Sequence, residues 1–303
     1  MPAPEAAAVP IRPALRAPIE ACAAGTLPPN IALTRLLIEA TDPEEVEAAL
    51  GSVGADRDRE GPLAALLAHW RANPQAFATV KGVIGGVEHG GEAASAVGGI
   101  AHWATVFDRL ARVSEEGSVA LYALGNPDLL RAATEEIVAT LRGWGLLNAE
   151  TAVLEIGCGI GRIVAALAPE VRHVTGLDIS GAMIDAARQR CAGLPNVALS
   201  TSSGRDLSGI ADDGLDLVLA VDVFPYLIQA GDGLAETHFS EAARVLRAGG
   251  HLLVANYSYR GDPEQDAREV AAAARASGLT VLRNGDCPFR LWDGAVWLLR
   301  KNG

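Results

Sequence analysis

Cysteine is scarce in this chain of 303 residues, and the four present, Cys22, Cys158, Cys191 and Cys287, form no C-x-x-C pair. That spacing excludes a disulfide framework and a structural zinc site, and fits free thiols in a reducing compartment. Long apolar runs are also missing. The most apolar segment, LDLVLAVDVFPYLI, is interrupted by Asp216 and Asp222, so nothing reaches the roughly twenty uncharged apolar residues of a membrane-spanning helix. Positive charge is short as well: 25 Lys and Arg stand against 37 Asp and Glu, a net charge of −12. The chain as a whole repels a phosphate polyanion, so a nucleic-acid partner is not expected. Prolines at positions 2, 4, 10, 13 and 18 break any run that could act as a signal sequence. Residues 1–30 therefore read as a flexible Ala/Pro-rich tail, and the protein as cytoplasmic, with no membrane partner. His69, His89, His102, His173 and His251 show no ligand spacing, so no metal is expected.

The length allows one large or two modest domains. Residues 31–112 carry apolar residues at helical spacing in IALTRLLIEA, DPEEVEAAL, GPLAALLAHW and NPQAFATVKGVIGGV. They predict a small all-helical N-terminal domain, serving as a cap over a site or as a dimerisation surface. The glycine-rich stretch Gly85 to Gly99 reads as a mobile connection. In NPDLLRAATEEIVATLRGWGLL, Asn126 is placed to cap and Pro127 fits the first turn. Beyond it the pattern changes: short β-branched runs alternate with helical ones from TAVLEIG to EQDAREVAAAARASG. Alternation of this kind predicts an α/β fold for 113–303, a doubly wound, mostly parallel sheet with ligands at the carboxyl ends of its strands. GLTVLRNG and RLWDGAVWLLRK are strand-like with no helix between them, so the last strand is expected to return antiparallel at the sheet edge.

The strongest local signal is Val153-Leu154-Glu155-Ile156-Gly157-Cys158-Gly159-Ile160-Gly161-Arg162, a strand entering a glycine-rich turn that opens a helix. Glycines there admit positive φ and let a ligand lie on bare backbone, while the helix start presents free N–H groups. Seventeen residues after Gly161, Asp178 ends the next strand in Thr175-Gly176-Leu177-Asp178-Ile179-Ser180. A carboxylate there can accept from both hydroxyls of a ribose; the alternative is a helix cap, for which Ser180 is better placed. The dinucleotide pattern G-x-G-x-x-G/A is not met, because Arg162 occupies the place of its third small residue.

At this point the chain resembles the class I (Rossmann-like) S-adenosylmethionine-dependent methyltransferases. The E-x-G-x-G-x-G loop of Glu155, Gly157, Gly159 and Gly161 matches their first motif and LDIS their second. The resemblance continues through the third-strand loop from Asn196 to Leu207, the fourth strand from Asp216 to Asp222, and the fifth-strand entry from Glu241 to Val254, where Ala248 replaces the usual proline. It covers about residues 126–301. It implies a seven-stranded sheet with S-adenosylmethionine as cofactor and S-adenosylhomocysteine as product. Implied cofactor residues are the glycine loop with Arg162, Asp178, Ile179, Met183 against adenine, Ser203, Gly204, Arg205 and Asp206 at the base edge, the Val221 backbone, and Tyr122 as part of a lid. Ser203 stands where the family usually has an acid.

Acceptor-side candidates lie just past strands four and five: Asp222, Tyr226, Tyr257, Tyr259 and Arg260. The segment Asp222-Val223-Phe224-Pro225-Tyr226 is not the N-P-P-Y form used on planar amines, and together with the acidic charge it argues for a small-molecule acceptor. Tyr226 either orients the acceptor, deprotonates it if its pKa is lowered, or packs. With only four tyrosines in the chain, three at one sheet edge imply an aromatic-walled pocket, open to a cationic acceptor. Strand alternation would put Tyr257 and Tyr259 on one face and Asn256 and Ser258 on the other. Arg162 and Arg260 are each free to hold a carboxylate or to form surface ion pairs, and His238 reads as an acid/base candidate or, more commonly for a lone His on an amphipathic helix, as a solvated residue. The expected function is methyl transfer to a small molecule by in-line displacement. The alternatives are a nicotinamide-dependent oxidoreductase on a similar sheet and a non-catalytic cofactor-binding module.

Overall fold

The computed structural model describes residues 11–52, 60–86 and 96–303. Its first part is helical: α1 (Pro13–Ala23), α2 (Pro29–Glu39), α3 (Pro43–Ser52), α4 (Pro62–Ala72), α5 (Ala76–Gly86), α6 (Ala96–Val113) and α7 (Glu115–Val119). Four of these helices, α1 to α4, carry proline in the first turn, where its missing N–H costs nothing and its fixed φ suits the helix. Then α8 (Pro127–Gly143) leads into the alternating part. Asn126 caps α8 as expected, its side-chain oxygen accepting from the Asp128 and Leu129 amides at 2.8 and 3.1 Å.

The sheet and its helices follow as β1 (Ala152–Ile156), α9 (Arg162–Leu167), β2 (His173–Asp178), α10 (Gly181–Arg190), β3 (Val197–Thr201), β4 (Leu215–Val221), α11 (Phe224–Ala230), α12 (Leu234–Val245), β5 (Leu246–Ala255), α13 (Pro263–Ala276), β6 (Leu279–Asp286) and β7 (Val296–Lys301). The seven strands lie in the order β3-β2-β1-β4-β5-β7-β6. The first five are parallel, and β7 is antiparallel to both its neighbours. The hairpin thus docks through its second strand. Val296, Trp297, Leu298 and Leu299 are all buried, whereas β6 alternates between covered and open positions and is left at the edge.

Alternating strand side chains feed two cores. Val153, Leu217, Leu219 and Leu253 join one, together with residues of α1, α2 and α8; Leu154, Val218, Ala220 and Leu252 join the other, with Trp103, Phe239 and Val270. The core of the N-terminal helices is therefore continuous with one face of the sheet. This corrects the reading of residues 11–30 as a flexible tail: Leu15, Ile19 and Cys22 of α1 are buried in that core. The proline content hid the helix, although Pro13 fits its start; residues 1–10 lie outside the described part. Of the glycine stretch read as a mobile connection, 87–95 also lie outside it. Gly99 is within α6, where a Cβ would lie 2.7 Å from the Ala230 Cα, so the missing side chain lets α6 come down on α11. Among the described residues no helix is long and apolar enough to cross a membrane, and no cluster of three or more metal-ligating side chains occurs.

Candidate functional site

The floor of the site is the turn between β1 and α9. Gly157, Gly159 and Gly161 all have positive φ, the left-handed region in which side chains are rarely tolerated. The loop is tied from below, with the Cys158 amide donating to Leu177 O at 2.9 Å. Gly161 serves packing: a Cβ there would stand 2.9 Å from the Ala187 Cβ of α10. Asp178, at the end of β2, accepts from the Gly159 amide at 2.8 Å through Oδ2 and from the Ser180 amide at 2.9 Å through Oδ1. One carboxylate thus sets the glycine loop against the start of α10, and each oxygen retains a lone pair for a further donor. Burial pushes the Asp178 pKa up, opposed by those amide bonds. Ser180 is the cap of α10, its hydroxyl oxygen accepting from the Met183 amide at 3.1 Å.

Over this floor lies a cavity. Gly157, Gly159, Asp178 and Met183 line one side, Ile179, Ser202, Gly204, Asp206 and Leu207 the next, and Val221, Leu227, Ala230 and His238 the last. Its roof comes from the N-terminal part: Ile100, Trp103 and Phe107 of α6, with Ser118 and Val119 of α7. Val119 sits directly above Gly159 and Ile100 above Gly204. The roof is fastened by Asp108, whose Oδ1 accepts from the Ser180 hydroxyl at 2.5 Å and the Ala182 amide at 3.1 Å. A carboxylate at that place also meets the positive end of α10.

A second cavity opens on the far side, between α2, α5 and α6 and the carboxyl ends of β4 and β5. Trp103, Phe107, Ser118, Asp222 and Tyr226 line both cavities and form the wall between them. Tyr226 is packed edge-on between Trp103 and Phe107, with ring centroids 4.7 and 5.0 Å away. Asp222 has φ 59° and Asn256 φ 65°, a left-handed conformation that Asp and Asn tolerate better than most residues. Asp222 Oδ1 accepts from Asn256 Nδ2 at 2.7 Å and from the Tyr259 hydroxyl at 2.8 Å, and Tyr259 meets the Tyr226 hydroxyl at 3.2 Å. No described residue donates to Oδ2. Desolvation raises the Asp222 pKa, while Tyr259 and Asn256 hold it down. Burial, and then the Asp222 charge, push the Tyr226 phenol up.

These positions sort the expected site residues. Gly157, Gly159, Asp178, Ile179, Met183, Gly204, Asp206 and Val221 line the first cavity, and Asp222 and Tyr226 the shared wall. Tyr259 and Tyr122 line the second cavity; Tyr122 also stacks on Trp292 at 5.9 Å. Ser203 and Arg205 are exposed and line neither cavity. Glu155 and Arg162 lie beneath the glycine loop: Glu155 is 2% exposed, and Arg162 donates to the Thr134 hydroxyl at 3.0 Å. Two acceptor-side expectations are corrected. Tyr257 is buried among Phe224, Phe239 and Trp297, because β5 ends at Ala255 and the left-handed Asn256 breaks the alternation. Asn256 and Tyr259 consequently share the Asp222 side. Arg260 is spent on an ion-pair cluster with Asp266 at 2.7 Å and Glu269 at 2.6 Å. Burial raises the Tyr226 pKa where a lowered one was a possible reading, and His238 is 2% exposed rather than solvated. Trp103 and Phe107 went unassigned in the sequence; their signal was an aromatic pair four residues apart on one helix face.

Residues 153–250 match a family described as "Methyltransferase domain". A demethylmenaquinone methyltransferase of Clavibacter sepedonicus is 30% identical over 138 residues, 46% of this chain and 51% of that protein. Another, of Tropheryma whipplei, is 29% identical over 154 residues, 51% of this chain and 58% of that protein. This chain thus spans just over half the length of these relatives. The structure of Haemonchus contortus phosphoethanolamine N-methyltransferase 1, in complex with phosphoethanolamine and S-adenosylhomocysteine, is alike in fold, with a TM-score of 0.56 at 18% identity over 71% of this chain and 51% of that one.

Proposed function

We propose that this chain, which carries a class I S-adenosylmethionine-dependent methyltransferase domain, methylates a small molecule held in the second cavity, with α6 and α7 as the cap over the cofactor. The observation that carries the proposal is the shared wall. Two cavities meet at Asp222 and Tyr226, as a reaction between two bound partners requires. The relatives named demethylmenaquinone methyltransferase support a small acceptor.

The first cavity fits the cofactor by the chemistry of its donors and acceptors. Asp178 keeps lone pairs for a ribose diol, and the apolar slot of Ile179, Leu207 and Leu227 suits a purine. When bound, S-adenosylmethionine supplies an electrophilic methyl group on a sulfonium. The chain's own residues do the rest. Asp178 and the glycine loop orient the nucleoside, and holding two reactants in line can supply much of the rate. Val119, Ile100, Trp103 and Phe107 close the roof against water. Asp222 Oδ2, to which no described residue donates and which desolvation makes more basic, accepts the proton that the acceptor heteroatom gives up as its bond to carbon forms and the carbon–sulfur bond breaks. Tyr226 stays a neutral phenol and orients the acceptor, while Asn256 and Tyr259 hold Asp222 through Oδ1.

The test is turnover of S-adenosylmethionine to S-adenosylhomocysteine against a panel of phenols, enols, amines and thiols. The expected result is turnover with at least one acceptor and a loss of at least about a hundredfold in Asp222→Asn, the scale of general-base catalysis. Silence across the panel by a protein that binds S-adenosylhomocysteine would favour a non-catalytic cofactor-binding module.

A further inference from the structure

The second cavity has two unlike ends. Its reaction end is the wall shared with the first cavity, where Tyr226 packs between Trp103 and Phe107 and the Tyr259 hydroxyl meets Asp222. From that wall α6 gives a direction. Trp103, Phe107 and Leu110 line the cavity from one face of the helix, and seven residues at 1.5 Å each put Leu110 about 10 Å along the axis from Trp103. Contacts between the helices place the neighbours of Leu110. The Cβ that Gly86 lacks would stand 2.7 Å from the Leu110 Cδ2, so the end of α5 meets α6 there. Lys81 of α5 donates to the Ile38 carbonyl of α2 at 2.8 Å, and Ile84 follows Lys81 by one helical turn. The far end is therefore aliphatic, with Ile38, Ile84 and Leu110 all lining the cavity. Ile38 is 39% exposed even so.

Charge separates the two ends further. Among the described residues that line the cavity, Arg35, Asp222 and Asp293 are the charged ones, and Arg35 is paired with Asp293 at 2.7 Å. The lining thus offers a carboxylate at the reaction end and no unpaired cation. We propose that the methyl acceptor is an uncharged amphiphile, with a small polar head that reaches Asp222 and an aliphatic branch that lies along α6 to Ile38, Ile84 and Leu110. Burying the branch supplies affinity, about fourfold for each methylene removed from water, while the head decides which atom meets the wall. A carboxylate or phosphate on the branch would lose its water among aliphatic side chains with no free cation on the lining to answer it, which opposes binding.

The inference rests on the two-cavity reading above, and the two fail separately. The full chain saturated with S-adenosylhomocysteine is titrated calorimetrically with para-ethylphenol, with para-hexylphenol, and with the hexyl compound whose chain ends in a carboxylate. Hexylphenol is expected to bind at least about fiftyfold more tightly than ethylphenol, against about 250-fold for four fully buried methylenes. The carboxylate is expected to bind at least about tenfold more weakly than hexylphenol. Ile38→Asn and Ile84→Asn, which put a polar group at the far end, are each expected to narrow the hexyl-to-ethyl ratio at least about fivefold. Since each ratio compares two ligands on one protein, partial misfolding does not mimic the effect. A hexyl-to-ethyl ratio below about five, a carboxylate that binds as tightly as hexylphenol, a ratio unchanged in both variants, or no binding of hexylphenol overturns the inference and leaves the two-cavity reading standing. Hexylphenol bound as expected by a chain that turns over no acceptor would instead overturn methyl transfer while keeping the amphiphile site.

Discussion

Glu155 is the least comfortable charge in the fold. It sits within β1 with 2% exposure, and its Oε2 has no hydrogen-bond partner among the described residues. Burial pushes its pKa up to about 8, against the pull of the Arg162 charge and the Val164 amide. In the unfolded chain the group titrates near 4.5. The folded state therefore holds a proton that the unfolded state releases between those two values. Because the folded pKa is the raised one, the contribution to stability is complete below about pH 4.5 and declines until pH passes about 8. At about 1.4 kcal/mol for each tenfold change in proton affinity, the full loss is about 5 kcal/mol. Glu155→Gln is permanently neutral, similar in shape, and keeps an oxygen for the Val164 amide. Urea unfolding of both proteins at pH 5, 6, 7 and 8.5 isolates the effect, since the other titrating groups are common to both. The variant is expected to match the wild type within about 1 kcal/mol at pH 5 and to exceed it by several kcal/mol at pH 8.5. Parallel stability curves would refute the argument, because they would mean that Glu155 ionises in the fold as readily as in water.

Three further outcomes are expected. Asp178→Ala should weaken S-adenosylhomocysteine binding by about 1.5–3 kcal/mol, the cost of losing charge-assisted hydrogen bonds; because the Gly159 and Ser180 amides also lose their acceptor, Asp178→Asn is measured beside it, and unchanged affinity in both folded variants would remove the ribose role. Tyr226→Phe should lower turnover by about tenfold with cofactor affinity intact, the loss of one orienting hydrogen bond, and equal activity would leave Tyr226 as a packing residue between Trp103 and Phe107. Ile19→Ala should destabilise the chain by about 2–5 kcal/mol, as for a buried aliphatic truncation; a change below about 0.5 kcal/mol would mean that α1 is not part of the core.

What could be read in the sequence was local. The glycine loop, Asp178 and the Ser180 cap lie within three short segments, and their chemistry depends on spacing along one strand, one turn and one helix start. The parallel sheet followed from the alternation of strand and helix patterns. The errors came where geometry leaves the regular period. Tyr257 was assigned to the pocket by strand alternation, which stops at Ala255 because Asn256 turns left-handed. Arg260 was credited with a ligand, although Asp266 and Glu269 follow it at spacings that α13 folds back onto it. The helix α1 was hidden by its prolines, although Pro13 fits its first turn and Pro18 lies within it on the buried side. The roof residues Trp103 and Phe107 show in the sequence only as an aromatic pair on one helix face; the packing of α6 over α10 and α11 brings them to Tyr226.

The central claim is that the cavity over Gly157, Gly159 and Asp178 holds an S-adenosyl cofactor. Isothermal titration of the full chain with S-adenosylhomocysteine, NAD and NADP tests it most directly. Saturable binding of S-adenosylhomocysteine with a 1:1 stoichiometry, and no heat from either nicotinamide nucleotide, is the expected result. Binding of NAD or NADP without S-adenosylhomocysteine would contradict it.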